Sequence, residues 1–219
     1  MIKRICIMLL VTFFMPVSAG AYPYNQQHTF QAQLETARAN TTIVTAYYTS
    51  RFEGTRIQGI GTGTLVGDGL LLTNAHVVGS NTGALHIDVT TYDNVVHDGT
   101  LLRIDRSVDL ALIRIDSAAD GFALSGTQIY PGMQVMTVGQ PQGLAHWSFS
   151  EGAIVDISRS CIMTSGERWT AIMTDAQSIH GNSGGPLIND RGKLVGIMRG
   201  AAEGYSFAIP IEGVREFLQ

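Results

Sequence analysis

The chain has few cysteines and few charged residues, and its charge balance is not basic. It contains 219 residues, of which 2 are cysteine, 15% are charged and 45% are hydrophobic, and its formal net charge is −4. Nothing in this charge balance is basic enough to suggest a surface for binding nucleic acid. The apolar run at residues 5–17 is too short to span a bilayer comfortably. The composition favours one large globular domain, or two small ones, with an ample core.

The first residues have the layout of a cleaved secretory signal. Lys3 and Arg4 precede the apolar run, and small residues follow it in SAGAY. Cleavage after Ala19 or Ala21 satisfies the preference for small residues at the cleavage site. It removes two positive charges and no acidic residue, so the net charge changes from −4 to −6. We expect an exported protein, periplasmic or secreted and without a stable membrane anchor. An uncleaved N-terminal anchor is the alternative.

The shortage of cysteine excludes an internal disulfide in the mature chain. Cys6 leaves with the predicted signal, and Cys161 then stands alone. Animal-type extracellular proteases of this size are usually disulfide-bonded, so this chain is closer to a bacterial envelope or secreted protein. Its stability must come from packing, and we expect Cys161 to be a small core residue rather than a reactive thiol.

The periodicity indicates strands through most of the chain and helices near its two ends. Phe30, Leu34 and Ala37 recur at helical spacing, and residues 211–218 predict a terminal helix. Between them lie two sets of about six short apolar runs, separated by turn residues. Without crossover helices these strands cannot form a parallel sheet. Two antiparallel barrels or one large sandwich remain, with a break near residues 116–126.

The stretch HGNSGGPL, residues 180–187, contains a candidate nucleophile. Glycine and serine are common in turns, so Ser183 needs a base, and the base needs an orienting group. The G-x-S-x-G elbow of α/β-hydrolases has its catalytic histidine after the serine, but no histidine follows Ser183. The opposite order has candidates, because His76 ends an apolar strand-like run and Asp109 heads another.

These motifs resemble those of the trypsin-like serine proteases, and within them the HtrA/Deg branch of bacterial envelope proteases. The resemblance is carried by GTGTLV…LLLTNAHVV, DLALIRID, TDAQSIHGNSGGPL and YSFAIPIEGV, in order, from about residue 40 to the C-terminus. It implies an all-β fold of two six-stranded antiparallel barrels, with the active site in the cleft between them.

The predicted organisation has three parts. Residues 1–21 form the signal peptide, residues 22–39 form a lead with a short helix, and residues 40–219 form the protease domain. Within that domain, barrel one covers about 40–118 and barrel two about 119–219.

The resemblance also implies the catalytic residues, which are His76, Asp109 and Ser183. Ser183 would attack the peptide carbonyl while His76 takes its proton, and Asp109 would hold the imidazole in the required tautomer. The N–H groups of Gly181 and Ser183 would form the oxyanion hole.

Two segments are expected to border the primary specificity pocket. One side comprises Gln177, Ser178, Ile179 and His180, and the opposite strand-like wall comprises Met198, Arg199 and Gly200. Gln177 stands where a trypsin has an aspartate, so the pocket has no carboxylate that would select lysine or arginine. We expect a small or apolar residue before the scissile bond.

Three features depart from the relatives. The uncharged Asn182 precedes Ser183, and no I-V-G-G occurs, so we expect no activation by an N-terminal ion pair. Residues 50–58 are too short for the long regulatory loop of some relatives. A PDZ module is expected to be absent after the terminal helix. A single-domain monomer is therefore the simpler expectation.

The sequence thus predicts a serine endopeptidase that acts on proteins or peptides through an acyl-enzyme. It predicts no cofactor, and the histidines at 86 and 97 make no recognised metal spacing. The glycine-rich stretch at residues 59–64 opens no helix, which argues against a dinucleotide site. The alternatives are a non-catalytic peptide- or unfolded-protein-binding protein on the same fold and an esterase-like acyl hydrolase.

Overall fold

The computed structural model describes residues 30–50, 54–79, 84–141, 146–162 and 168–219. The predicted signal peptide and the first part of the lead lie outside these residues, as does part of the segment 50–58. Among the described residues, no helix is both long enough and apolar enough to cross a membrane.

Three helices and thirteen strands make up the regular structure of the described residues. The helices are α1 Gln31–Ala39, α2 Ala75–Val78 and α3 Ile211–Leu218. The strands are β1 Thr41–Ser50, β2 Gly54–Gly67, β3 Leu70–Thr73, β4 Ala84–Thr90, β5 Val96–Asp98, β6 Thr100–Asp105, β7 Leu110–Arg114, β8 Gln134–Gly139, β9 Ser148–Ile162, β10 Arg168–Thr174, β11 Pro186–Asn189, β12 Leu194–Ala202 and β13 Tyr205–Pro210. The predicted helices near both ends are confirmed, whereas the single turn α2 follows β3 where the sequence indicated only a strand.

The first sheet has seven strands in the order β5-β4-β1-β2-β3-β7-β6, and the pairs are antiparallel. Its outermost strands, β5 and β6, are separated in the chain by Gly99 alone. The sheet must therefore curl until its ends meet at this residue, where the Gly99 N–H donates to the Ile87 carbonyl at 2.7 Å. A Cβ at Gly99 would lie 3.0 Å from the side chains of Ile87 and Ile113, so the corner suits glycine. Counted as one bent strand, β5 and β6 give the six strands predicted for barrel one.

The second half is a closed barrel of six strands in the order β10-β13-β12-β11-β8-β9. Closure removes the exposed edges that an open antiparallel sheet would have. The prediction of an all-β fold with two barrels and short terminal helices is confirmed, and the alternative of one large sandwich is wrong.

Three groups of buried apolar side chains hold the fold together. One lies within each barrel and includes, for example, Leu65 in the first and Leu187 in the second. The third lies between the barrels and joins Leu72 of β3 and Ile197 of β12 to residues of α1 and α3. This shared core fixes how the barrels face each other, and the cleft between them has its shape for that reason.

Candidate active site

His76 and Asp109 form a hydrogen-bonded pair at the edge of barrel one. The Nδ1 atom of His76 lies 2.8 Å from Oδ2 of Asp109, and the His76 backbone N–H donates to Oδ1 at 3.0 Å. The His76 side chain is 51% exposed, whereas that of Asp109 is 8% exposed. Since the carboxylate accepts from Nδ1, the proton is on Nδ1 and Nε2 is left as the basic nitrogen.

The backbone around Asp109 is held in an unusual conformation. Asp109 has a φ of +59°, in the left-handed region that side chains disfavour. Its carbonyl accepts hydrogen bonds from Asn74 Nδ2 at 3.0 Å and from the Ala75 N–H at 3.2 Å. These bonds tie the turn before β7 to the start of α2. The buried Asn74 is a structural member of the site that sequence reasoning missed, although it stands two residues before His76.

The charge of Asp109 is stabilised within the site. Burial raises the pKa of the Asp109 carboxyl, but the hydrogen bonds and charge of His76, together with the charge of Arg199, outweigh that effect. The pKa therefore lies below its ordinary value, and the carboxylate is charged at neutral pH.

Arg199 is the second partner of the Asp109 carboxylate. Its Nε donates to Oδ2, the oxygen that also bonds His76, at 2.8 Å. The Arg199 side chain is 10% exposed, and its guanidinium lies over the Trp169 ring at 4.1 Å from the centroid. Sequence reasoning placed Arg199 in the substrate-binding wall and did not foresee that its side chain reaches Asp109, because the contact joins β12 to the other barrel.

The Ser183 hydroxyl points to the backbone of β12. Its Oγ donates to the Arg199 carbonyl at 3.2 Å, and no hydrogen bond to His76 is found among the described residues. The Ser183 carbonyl accepts from the Thr62 N–H of β2 at 2.8 Å. In the described part of the chain, the N–H groups of Gly181 and Ser183 donate to no protein acceptor. Gly181 has a φ of +100°, which a side chain would strain.

Two buried threonines of β2 connect the two barrels behind the site, and a third braces them from β3. Thr62 Oγ1 donates to the Gly181 carbonyl at 2.7 Å, and Thr64 Oγ1 donates to the Gly184 carbonyl at 2.8 Å. Thr73 Oγ1 donates to the Thr62 carbonyl at 2.8 Å. The segment 59–64 therefore serves the nucleophile loop rather than a dinucleotide. Its alternation of glycine with threonine was the available signal, and sequence reasoning did not use it.

Gly61 lies between the two halves of the site. A Cβ at this position would lie 2.6 Å from a methyl group of Val77, the neighbour of His76, and 2.9 Å from the Ser183 carbonyl oxygen. Glycine is therefore needed where α2 and the nucleophile loop approach each other across β2.

The predicted specificity residues differ in how they are placed. Gln177 Nε2 donates to the carbonyls of Asp175 at 3.0 Å and Gly204 at 3.2 Å. Ser178 is buried, whereas Ile179 and His180 are exposed.

On the opposite wall, the side chain of Met198 is fully buried in the core of barrel two. Its N–H and carbonyl bond to Gly185 and Gly184, both at 2.8 Å. Arg199 and Gly200 therefore form the cleft-facing part of this wall.

A cleft of about 1190 Å³ runs beside the His76–Asp109 pair. Its lining includes Arg199 and Trp169 but not Ser183. The Ser183 hydroxyl is hydrogen-bonded to the carbonyl of the lining residue Arg199. Cys161 also lines this cleft, so the expectation that it belongs to the core is wrong: it lies half-buried near the end of β9. Burial raises the pKa of the Cys161 thiol, which is therefore protonated at neutral pH.

His86, for which the sequence showed no metal-binding spacing, is exposed on β4 with carboxylates near it. His86 Nε2 is 2.7 Å from Asp88 Oδ1 and 4.0 Å from Asp98 Oδ1. The three residues are close enough together to bind a metal ion, but they are exposed or half-buried. The 2.7 Å contact between His86 and Asp88 accounts for the placement of these two side chains, and we assign the group no metal.

Comparisons with known proteins agree with this architecture. A family model described as a trypsin-like peptidase domain matches residues 61–197, more than half of the chain. Among curated proteins, the chain is 36% identical over 165 residues to "Putative serine protease HhoB" of Synechocystis sp., covering 72% of this chain and 39% of that protein. It is 34% identical over 177 residues to "Serine endoprotease DegS" of Haemophilus influenzae, covering 75% and 50% respectively. It is 34% identical over 157 residues to "Serine protease HTRA1" of Xenopus laevis, covering 69% and 33%.

The chain thus spans half or less of the length of each of these curated relatives. The matched region includes His76 and Asp109 on barrel one and Ser183 on barrel two. With the fold and the matched region in agreement, the chain belongs to the trypsin-like peptidase family and is HtrA-like within it.

Proposed function

We propose that this protein is a serine endopeptidase that hydrolyses peptide bonds in proteins or peptides through an acyl-enzyme. Ser183 Oγ attacks the carbonyl carbon, and its proton passes to His76 Nε2. The tetrahedral intermediate collapses as His76 returns that proton to the leaving amine, which breaks the C–N bond. Water, activated by the same imidazole, then releases the acid and regenerates Ser183.

The observation that carries this proposal is the His76–Asp109 pair. A buried carboxylate, bonded at 2.8 Å, holds a ring that is itself half-exposed to the cleft. Such a carboxylate fixes the tautomer and stabilises the imidazolium that forms when the ring accepts a proton. The N–H groups of Gly181 and Ser183, which donate to no acceptor among the described residues, suit an oxyanion, and losing one such donor typically costs about 10²–10³ in rate.

The proposal requires the Ser183 hydroxyl to leave the Arg199 carbonyl and turn toward His76. Catalytic hydrogen bonds are often long or misaligned without substrate and tighten in the complex. A substrate strand along Arg199 and Gly200 would present its own N–H groups to the β12 carbonyls. Pairing of this kind would replace the Ser183 hydroxyl at the Arg199 carbonyl and release it for catalysis.

Covalent labelling tests the proposal. A fluorophosphonate probe should label the wild type, and Ser183→Ala should abolish both labelling and peptide cleavage. If the triad acts as a unit, the loss of Ser183 or His76 removes about 10⁶ in kcat. Ser158→Ala is the matched control, since this exposed serine of β9 lies outside the cleft lining, and it should be labelled normally. Labelling that persists in Ser183→Ala would refute the assignment of the nucleophile.

The hydrogen bond from Ser183 to Arg199 also supports a second candidate, a non-catalytic peptide-binding protein. In that case the hydroxyl stays on the carbonyl when peptide binds. The wild type would then bind a denatured protein without cleaving it and would not react with the probe. Reaction with the probe together with cleavage would exclude this second candidate.

We also propose that the protein is exported, on the evidence of residues 1–21, and that it works as a monomer without a metal or cofactor. N-terminal sequencing of the protein recovered from the cell envelope or the medium should begin at Gly20 or Tyr22. An N-terminus at Met1 would refute cleavage. A peptide library should show small or apolar residues before the cleaved bond, and strict cleavage after lysine or arginine would contradict that preference.

A further inference from the structure

One charged side chain shares the carboxylate of the candidate triad with His76. Arg199 Nε and His76 Nδ1 both lie 2.8 Å from the same oxygen, Asp109 Oδ2. The guanidinium is nearly buried, at 10% exposure, and stacks on Trp169. A buried, stacked guanidinium with a carboxylate partner is held firmly, because moving away from Asp109 would leave its own charge buried without that partner.

The same geometry places a permanent positive charge beside the ring that must become positive during catalysis. Arginine is charged at every working pH. Its charge partly neutralises the Asp109 carboxylate, which would otherwise favour protonated His76. It also repels the positive charge that the His76 ring gains on protonation. We propose that Arg199 is a positioning residue that holds Asp109 for His76 and lets the pair work at lower pH than a neutral residue at position 199 would. This inference rests on the proposed peptidase function.

Besides His76, Asp109 and Arg199, the described residues place four other charged or titratable groups at the same cleft. They are Arg106 in the turn before β7, Arg159 and Cys161 on β9, and Glu203 in the turn after β12. Arg106, Arg159 and Glu203 are exposed, so solvent and salt screen their charges. The Cys161 thiol is neutral at neutral pH because burial raises its pKa. Among the described residues of this cleft, Arg199 is thus the buried cation that acts on the pair.

The test is the dependence of kcat/KM on pH, measured with a fluorogenic peptide from pH 4.5 to 8. Arg199→Gln removes the charge but keeps a hydrogen-bond donor, and Arg199→Met removes both. In either variant the midpoint of the acidic limb should rise by about one pH unit, the low end of the range for a neighbouring charge. Each protein's kcat/KM can be expressed as a fraction of its own plateau value. At the pH of the wild-type midpoint, this fraction in the variant should be about one fifth of that in the wild type, as a single protonation step requires.

Two matched variants separate this effect from general damage. Arg199→Lys keeps the charge and should keep the limb within about 0.3 pH units of the wild type, and Arg106→Gln, which removes an exposed charge from the same cleft, should do likewise. A role in folding alone would lower kcat equally at every pH. Limbs that coincide in wild type and Arg199→Gln, or an equal shift in Arg106→Gln, would overturn the proposal.

A readout without turnover separates this inference from the proposed function. In the Ser183→Ala background, the NMR titration curve of the His76 ring should move to higher pH when Arg199→Gln is added. If the wild type cleaves no peptide, the proposed function fails, yet this comparison still shows whether Arg199 acts on His76. An unmoved curve refutes the inference even in an active protease.

Discussion

Gly61→Ala tests whether close packing between α2 and the nucleophile loop positions the site. The added Cβ would lie 2.6 and 2.9 Å from the two methyl groups of Val77 and 2.9 Å from the Ser183 carbonyl oxygen. Carbon contacts are favourable at about 3.5–4.0 Å, so the neighbours must move by several tenths of an ångström or more. The atoms that must yield belong to Val77 and Ser183, and the movement therefore separates His76 from Ser183.

The magnitude follows from the overlap. Overpacking of this kind costs typically about 1–3 kcal/mol. For the 190 residues from 30 to 219, each kcal/mol lowers Tm by about 2–4 °C. We expect Tm to fall by about 4–8 °C for a cost near the middle of that range. A displacement of about 1 Å between reacting groups costs about 10²-fold in rate, so we expect kcat to fall about 10- to 100-fold while the protein remains folded.

Circular dichroism melts and peptide turnover at 20 °C measure the two effects separately. Gly126→Ala is the matched control, because a Cβ at that exposed glycine meets nothing within 4 Å. It should leave Tm and kcat unchanged. If Gly61→Ala melts within about 1 °C of the wild type and keeps kcat within about twofold, the packing argument is wrong.

Two further predictions concern stability. Because the pKa of Asp109 lies below its ordinary value, its ionisation stabilises the fold above the unfolded pKa of about 3.9, and that contribution is lost as pH falls through the folded pKa. The difference in unfolding free energy between wild type and Asp109→Asn, measured by urea titration, should therefore be larger at pH 7 than at pH 3. A difference that is the same at both pH values would contradict this. Trp147→Phe removes the hydrogen bond from Nε1 to the Thr41 carbonyl, 2.9 Å long and buried. It should cost about 1–2 kcal/mol, and an unchanged Tm would contradict it.

Much of the fold was predictable from local pattern. The recurrence of Phe30, Leu34 and Ala37 predicted α1, and these residues are buried as the pattern required. Short apolar runs separated by turn residues predicted the strands, and the absence of crossover helices predicted antiparallel pairing. The strand count for barrel one differed only because Gly99 divides a bent strand into β5 and β6. The one-turn helix α2 was missed because four residues are too few to show a helical period.

The candidate site divides in the same way. The three proposed triad residues were chosen from motif and chain order, and their catalytic roles remain a prediction. Met198 illustrates the limit of such reasoning: its place in the chain assigned it to the strand-like wall that pairs with substrate backbone, and only the structure shows that its side chain is buried in the core. Strand alternation can predict that neighbouring side chains face opposite sides, but it does not say which of them faces the cleft.

By itself, the sequence determined the all-β class, the terminal helices and the family resemblance, because these depend on residue types, on their local spacing and on the order of motifs along the chain. The tertiary structure alone decided that Arg199 reaches Asp109 across the barrel interface, that Gly61 separates Val77 from Ser183, and that the Ser183 hydroxyl bonds to β12. Each of these contacts joins residues distant in the chain. Their distances depend on how two curled sheets pack against a shared core, and no local pattern encodes that.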